Sequence, residues 1–324
     1  MYRIDDATAA TSLPTPEAAG TEGYFTEGNP ATGTPATKVR GSWLNMIQEE
    51  LCAILAAAGI TRSKTSYNQV NSALQKMYSP VVGAARNLAM NVSAASASAT
   101  LTADLIVVST ALNGQTFVLP TFNKTINLAT AGTGGMDTGT APVSGFVALY
   151  AIYNPTTGAS ALLATNATGA IAPNVYGGAN MPSGYTASAL VSVWPTNASG
   201  QFSVASQIDR SISFAPLTAL TTSTAQASPT SFSVAAYIPR NARTARGSVS
   251  LQSSADNANL QSVLSGSSGN AGAFNIATVA IVANSGITAP YPDIPILSAQ
   301  QMFYTANSGA GTLSFTVLIS GYTI

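Results

Sequence analysis

The chain of 324 residues carries 12 basic and 12 acidic side chains and a formal net charge of zero, so nucleic acid and anionic membrane surfaces find no charge complement in it. Charged residues make up 7% of the sequence, against about 25% in an average globular protein. Hydroxyl, amide and small side chains take their place, a composition that suits β-structure packed against copies of itself.

Residues 1–41 show no sustained period of 3.6 or 2, and Pro14, Pro16, Pro30 and Pro35 would interrupt either ladder. An extended arm is expected. The opening "MYRIDDATAAT" is acidic where a secretory signal would be basic and then apolar, so a soluble protein made in a cytosol is expected. From Trp43 the pattern changes: Trp43, Leu44, Ile47, Leu51, Ile54 and Leu55 fall on one helical face, with Ser42 as N-cap and Gly59 as the C′ residue. The apolar run within this helix, "LCAILAAAGI", is about half the ~20 residues that span a bilayer, so no membrane insertion is expected. A second helix is predicted in "SYNQVNSALQKMY", with Ser66 and Gln69 as a capping box and Val70, Ala73, Leu74 and Met77 as the apolar stripe. The single cysteine, Cys52, cannot form an intrachain disulfide and reads as a small core residue. The first 86 residues hold seven acids and seven bases and the following 238 only ten charges, which sets a boundary in "YSPVVGAA".

Beyond Ala85 the sequence reads as β-structure. "ADLIVVSTA", "QTFVLP" and "KTINLAT" are short β-branched runs separated by turn residues. "GFVALYAIYNPTTGASALLATN" reads as two strands joined by a turn at Asn154 to Gly158, and "YTASALVSVWP" with "GQFSVASQI" as another pair. "FAPLTALTTSTAQASP" reads as a linker. After it, "TSFSVAAYI", "GSVSLQSSA", "AFNIATVAIVA", "AQQMFYTA" and "TLSFTVLISGYTI" give five strand candidates and a β-sandwich. The expected organisation is mainly β: an arm at 1–41, a helical hairpin at 42–80, a central β domain at 81–215 and a C-terminal β-sandwich at 216–324.

The sequence has no histidine, which removes the commonest general base and metal ligand. The acids after residue 86, Asp104, Asp137, Asp209, Asp256 and Asp293, are too widely spaced to suggest the facing pair of a glycosidase. A non-enzymatic protein without cofactor or metal is expected. "GTGGMDTG" lacks the lysine and helix of a phosphate loop and reads as a flexible turn. Arg240, Arg243 and Arg246 concentrate three of the five bases after residue 86. They read either as a patch for an anionic group or as a solvated turn or subunit contact. Tyr176, Tyr185, Trp194, Tyr291 and Tyr304 read as sugar-stacking rings or as packing.

The stretch "YFTEGNPATGTPATKVRGSWLNMIQEELCAILAAAGI", followed by "NQVNSAL", resembles the N-terminal region of tail fibre proteins from phages and prophages of Gram-negative bacteria. Phe25, Gly28, Asn29, Pro30, Gly33, Pro35, Trp43, Asn45, Gln48, Glu49, Glu50 and Leu51 carry the likeness over roughly residues 23–78. "MDTGTAPVSGFVALYAIYNPTTGASALLATN" and "VYGGANMPSGYTASALVSVWPTN" resemble a domain of such fibres too. The resemblance implies an elongated homotrimer in the virion, made in the host cytoplasm. It would attach to other tail or baseplate proteins through Tyr24, Phe25, Asn29, Pro30 and Trp43, with Leu44, Ile47, Leu51 and Ile54 packing the trimer or the helices. The C-terminal β domains would meet a host-surface glycan or outer-membrane protein through Arg240, Arg243, Arg246 and Tyr291. The sequence departs from the family in lacking a long shaft or collagen-like repeat, which leaves open a connector on which a separate adhesin docks. A glycan-degrading spike and a cellular adhesin are the remaining alternatives.

Overall fold

The computed structural model spans residues 1–324, all of them described except Ser79. It is mainly β, with 44% strand and 9% helix, and divides into a unit of residues 1–79 and a unit of residues 80–324.

The N-terminal unit holds α1 (Gly41–Ala57) and α2 (Gln69–Met77). Gly59 is the expected C′ residue: at φ +64 it lets its own N–H reach Ala56 O and the Ile60 N–H reach Leu55 O, which closes the helix by a Schellman pattern. The expected start is corrected. Arg40 is extended and its carbonyl already accepts from Leu44 N–H, so Ser42 lies inside the first turn and caps nothing. The expected capping box is also absent. Ser66 Oγ instead donates to Asn68 Oδ1, while the Gln69 amide turns inward, accepting from Ser63 N–H and donating to Thr61 O. Gln69 thereby holds the loop between the helices. Cys52, Leu55, Ala58 and Ala73 form the small buried centre of this unit. Leu51, Ile54 and Val70 are half-buried, and Trp43, Leu44, Ile47, Leu74 and Met77 stay exposed.

The C-terminal unit begins with β1 (Ala85–Arg86), β2 (Ala89–Val92), β3 (Ser98–Ser109), β4 (Thr116–Asn127), β5 (Phe146–Tyr153), β6 (Ser160–Asn166), β7 (Ala187–Pro195) and β8 (Ala205–Ile208). It continues with β9 (Ser211–Thr222), β10 (Gln226–Ser233), β11 (Thr244–Ser253), β12 (Ala258–Ser265), β13 (Phe274–Ile281), β14 (Ser285–Pro295), β15 (Gln301–Ser308) and β16 (Leu313–Thr323). One twelve-stranded sheet runs in the order β14-β11-β16-β9-β8-β2-β3-β7-β5-β6, with β1 and β4 also on β3. A four-stranded sheet, β10-β15-β12-β13, accompanies it.

The four-stranded sheet faces the β14-β11-β16-β9 end as a sandwich. Tyr304 of β15 stacks on Phe315 of β16 at 5.2 Å between centroids, and Leu260, Leu264 and Met302 join Val249, Val317 and Ile319 in one core. At the other end, β5, β6 and β7 are buried on both faces, which is why their sequences read as continuous apolar runs. Val147, Leu149 and Ala151 face the main core. Phe146, Ala148, Tyr150 and Ile152 face a second core, with Ala172 and Tyr176 from the loop after β6.

Several readings of single segments are corrected. "FAPLTALTTSTAQASP" is no linker: it supplies most of β9, which pairs with β8 and β16 and carries the large sheet through position 215/216. Its half-exposed Thr- and Ala-rich pattern hides the strand, and Pro216 is tolerated because the register with β16 shifts between Leu217 and Ser213. "QTFVLP" and "KTINLAT" form the single strand β4, continuous through Pro120 and Thr121. β7 and β8 leave one loop closed by a Thr196–Phe202 bridge and then part, β7 to β5 and β8 to β2 and β9. "GTGGMDTG" is an ordered wedge: Met136 is buried, and Gly134 and Asp137 donate backbone N–H bonds to Leu162 and Ala164 of β6, covering the edge of that strand. β12 and β14 have no counterpart among the five strands expected there.

Candidate functional site

Two places gather the residues that the sequence singles out. In the arm, Thr26 and Thr37 bracket a closed turn: Thr37 N–H donates to Thr26 O, and Asn29 and Thr34 exchange backbone hydrogen bonds. Each motif residue has a local physical task. Gly28 adopts φ +72, and a Cβ there would lie 2.4 Å from Thr34 O. Asn29 caps the short 3-10 turn Pro30–Thr32 by accepting from Ala31 N–H, Pro30 starts that turn, and Gly33 ends it in the left-handed region. The closed turn leads out of Phe25, whose ring meets Trp43 edge-to-face at 4.9 Å. Tyr24, by contrast, is 97% exposed.

Further along the arm, Arg3 pairs with Glu49 of α1 and Lys64 pairs with Asp5. These donors hold the Glu49 and Asp5 carboxyls below the usual carboxylate range. The outer faces of α1 and α2 nonetheless expose Trp43, Leu44, Met46, Ile47, Leu74 and Met77 within one unit.

The second place is a cleft of about 370 Å³ in the C-terminal unit, lined by Arg210, Arg240 and Arg243 together with Asn174, Ile171 and Leu297. Its parts arrive by separate routes. β8 and β9 are joined by the two residues Asp209 and Arg210; Asp209 takes φ +50 and is pinned to Leu88 through both its N–H and its carboxylate. Arg210, half-buried, donates from Nη2 to Gly83 O at 2.8 Å. Gly83 is itself left-handed, and a Cβ there would lie 2.7 Å from that nitrogen. Loss of hydration lowers the Arg210 pKa. The amide of Asn241 clamps the opposite wall, accepting from Ala172 N–H and donating to Ala172 O. Arg243 is anchored through its backbone, its N–H to Thr323 O and its carbonyl from Ile296 N–H.

The expected arginine triplet therefore divides. Arg246 faces β9, donating to Ser211 Oγ, Ile212 O and Ser213 Oγ and pairing with Asp293. Its donors are engaged inside the fold. Tyr291 is 3% exposed and donates to Leu318 O, so it offers no ring face to a ligand as it stands. Trp194 is buried as well. Sequence reasoning missed Arg210, which lies thirty residues from Arg240; its one signal is a charge kept where charges are scarce.

No family model matches the chain. A stretch of 77 residues is 42% identical to the uncharacterized protein StfP of Escherichia coli strain K12. It covers 24% of this chain and 35% of that relative, so the match spans about a third of the relative's length. Among the described residues no helix is long and apolar enough to cross a membrane.

Proposed function

We propose that this chain is a non-enzymatic structural protein of a phage tail, a homotrimeric fibre whose N-terminal unit attaches to other tail or baseplate proteins and whose β domains meet the host surface. The observation that carries the reading is the outer face of the N-terminal unit. A chain that buries β5, β6 and β7 on both faces leaves Trp43, Leu44, Met46 and Ile47 in solvent on one helix, and such a cluster asks for a partner surface. The resemblance of residues 23–78 to fibre N-terminal regions and the partial match to StfP point the same way. In this reading Tyr24 meets the virion, while Phe25, Asn29 and Pro30 shape the turn that presents it. The helix faces pack around the threefold axis.

The test has two arms. Light scattering should give a mass of about 98 kDa, three copies of 32.7 kDa. Particles produced with the full chain should contain it by mass spectrometry, and particles produced with residues 1–41 deleted should not. A monomeric chain absent from particles overturns the reading. A chain that enters particles while another virion protein alone accounts for adsorption makes it a connector.

A further inference from the structure

We infer that the cleft formed by Arg210, Arg240 and Arg243 is a binding site for a saccharide bearing a phosphate or carboxylate. The inference concerns the pocket and stands whether or not the chain belongs to a virion.

Charge is the first argument. The C-terminal unit has few bases, yet three of them line one cavity, and neither Asp nor Glu lines it. Among the described residues none of the three guanidinium groups forms an ion pair with an acidic side chain. Arg210 is the most telling member: it is half-buried and bonded only to a carbonyl, where a buried guanidinium is normally matched by an anion. Arginine presents a planar fork of donors that fits two oxygens of one oxyanion, so three guanidiniums suit phosphate or carboxylate better than a single point charge.

Shape is the second argument. A volume of about 370 Å³ lies at the lower end of the roughly 300–1,000 Å³ of small-molecule sites. Ile171 and Leu297 give it aliphatic surface for the apolar face of a sugar ring, and the Asn174 side chain offers an amide to hydroxyls. Preorganisation is the third. The Asn241–Ala172 clamp, the Gly83–Arg210 contact and the Arg243 backbone bonds fix the backbone walls and Arg210, so a ligand has only the Arg240 and Arg243 side chains left to order.

The test uses the full chain and isothermal titration calorimetry with glucose 1-phosphate and glucuronic acid, beside glucose and inorganic phosphate. At least one anionic sugar should bind, glucose should not, and inorganic phosphate should bind at least tenfold more weakly than the better anionic sugar. Arg240 and Arg243 are exposed and their side chains form no ion pair in the fold, so Arg240→Ser combined with Arg243→Ser should leave the melting temperature unchanged and weaken binding at least tenfold. Arg210→Lys, which keeps the charge and loses the fork, should also weaken it. Inorganic phosphate binding as tightly as the sugar phosphate would remove the saccharide from the proposal. Absence of binding by both anionic sugars, or full binding by the double variant, would overturn the site altogether.

Discussion

The two units solve the burial problem in opposite ways. In the C-terminal unit, Trp194, Tyr150, Tyr322, Phe202 and Phe315 are all fully buried. The N-terminal unit holds one tryptophan, and it is 40% exposed. The first encloses its large aromatic side chains in a core of its own; the second is a helical pair too small to enclose its apolar side chains. Charge follows the same division, since most charged side chains lie in the unit with the smaller core. Low charge in a protein of this size is therefore a property of the sheets.

The sharpest way to break this comparison is to cut into each core and read each unit by its own tryptophan, Trp194 or Trp43. Phe315→Ala removes a fully buried ring stacked on Tyr304 and should cost about 3–5 kcal/mol in urea unfolding followed at Trp194. A loss below about 1 kcal/mol would mean that the sandwich core is not closed as described. Next in size is Arg246→Met, which leaves Ser211, Ile212 and Ser213 without their donor. A loss of about 2–3 kcal/mol is expected. Asp293→Asn, on the exposed side of the same arginine, should cost no more than about 1 kcal/mol; equal losses would place the anchor in the ion pair instead of the strand contacts.

How far sequence reached also differs between the units. The α1 helix, its glycine stop and the β5–turn–β6 hairpin were legible because local period and turn chemistry decide them. The helix starts were not, because Arg40 and Gln69 are set by backbone and loop contacts that no spacing encodes. β9 was missed for a different reason. A strand half open to solvent and rich in Thr and Ala has no strong alternation, and only its partners β8 and β16 define it. The candidate sites follow the same rule. The turn at Gly28 to Gly33 could be read as a motif, but its coupling of Phe25 to Trp43 could not. The arginine cluster was read from nearness in sequence, and the sheet replaced Arg246 by Arg210, which a two-residue turn delivers from elsewhere.

Two smaller effects sharpen the view of the N-terminal unit. Gly28→Ala forces a side chain into the left-handed region against Thr34 O, at a cost of roughly 1–2 kcal/mol. The turn should open, Phe25 should leave Trp43, and Trp43 fluorescence should shift while Trp194 does not. Unchanged Trp43 emission would show that the turn does not position Phe25. Trp43→Ala should cost the isolated chain about 1 kcal/mol or less, since much of the ring is already in water. The same variant should weaken self-association far more, as measured by the concentration at which the light-scattering mass falls. Equal effects on both would remove Trp43 from the interface.

The smallest expected effect is in the arm's attachment to α1 and to the loop that follows it. The Asp5 carboxyl is lowered chiefly by its hydrogen bond from Lys64, and the Glu49 carboxyl chiefly by that from Arg3. A depressed folded value means that the contribution is complete above the ordinary carboxylate pKa and is lost as pH falls through the depressed one. The arm should therefore stay docked through neutral and mildly acid conditions and loosen only below the usual carboxylate range. Asp5 is exposed and Glu49 half-exposed, so salt should screen the effect. Carbon-detected NMR of the two carboxyls should give midpoints below those of unpaired Asp and Glu, approaching ordinary values in 0.5 M salt on the order of a few Å of screening length. The Ile4 amide, which donates to Gln48 Oε1, should move with the Glu49 midpoint. Ordinary midpoints at low salt, with an Ile4 amide indifferent to pH, would mean that the arm is not held on α1 and the loop after it by these pairs.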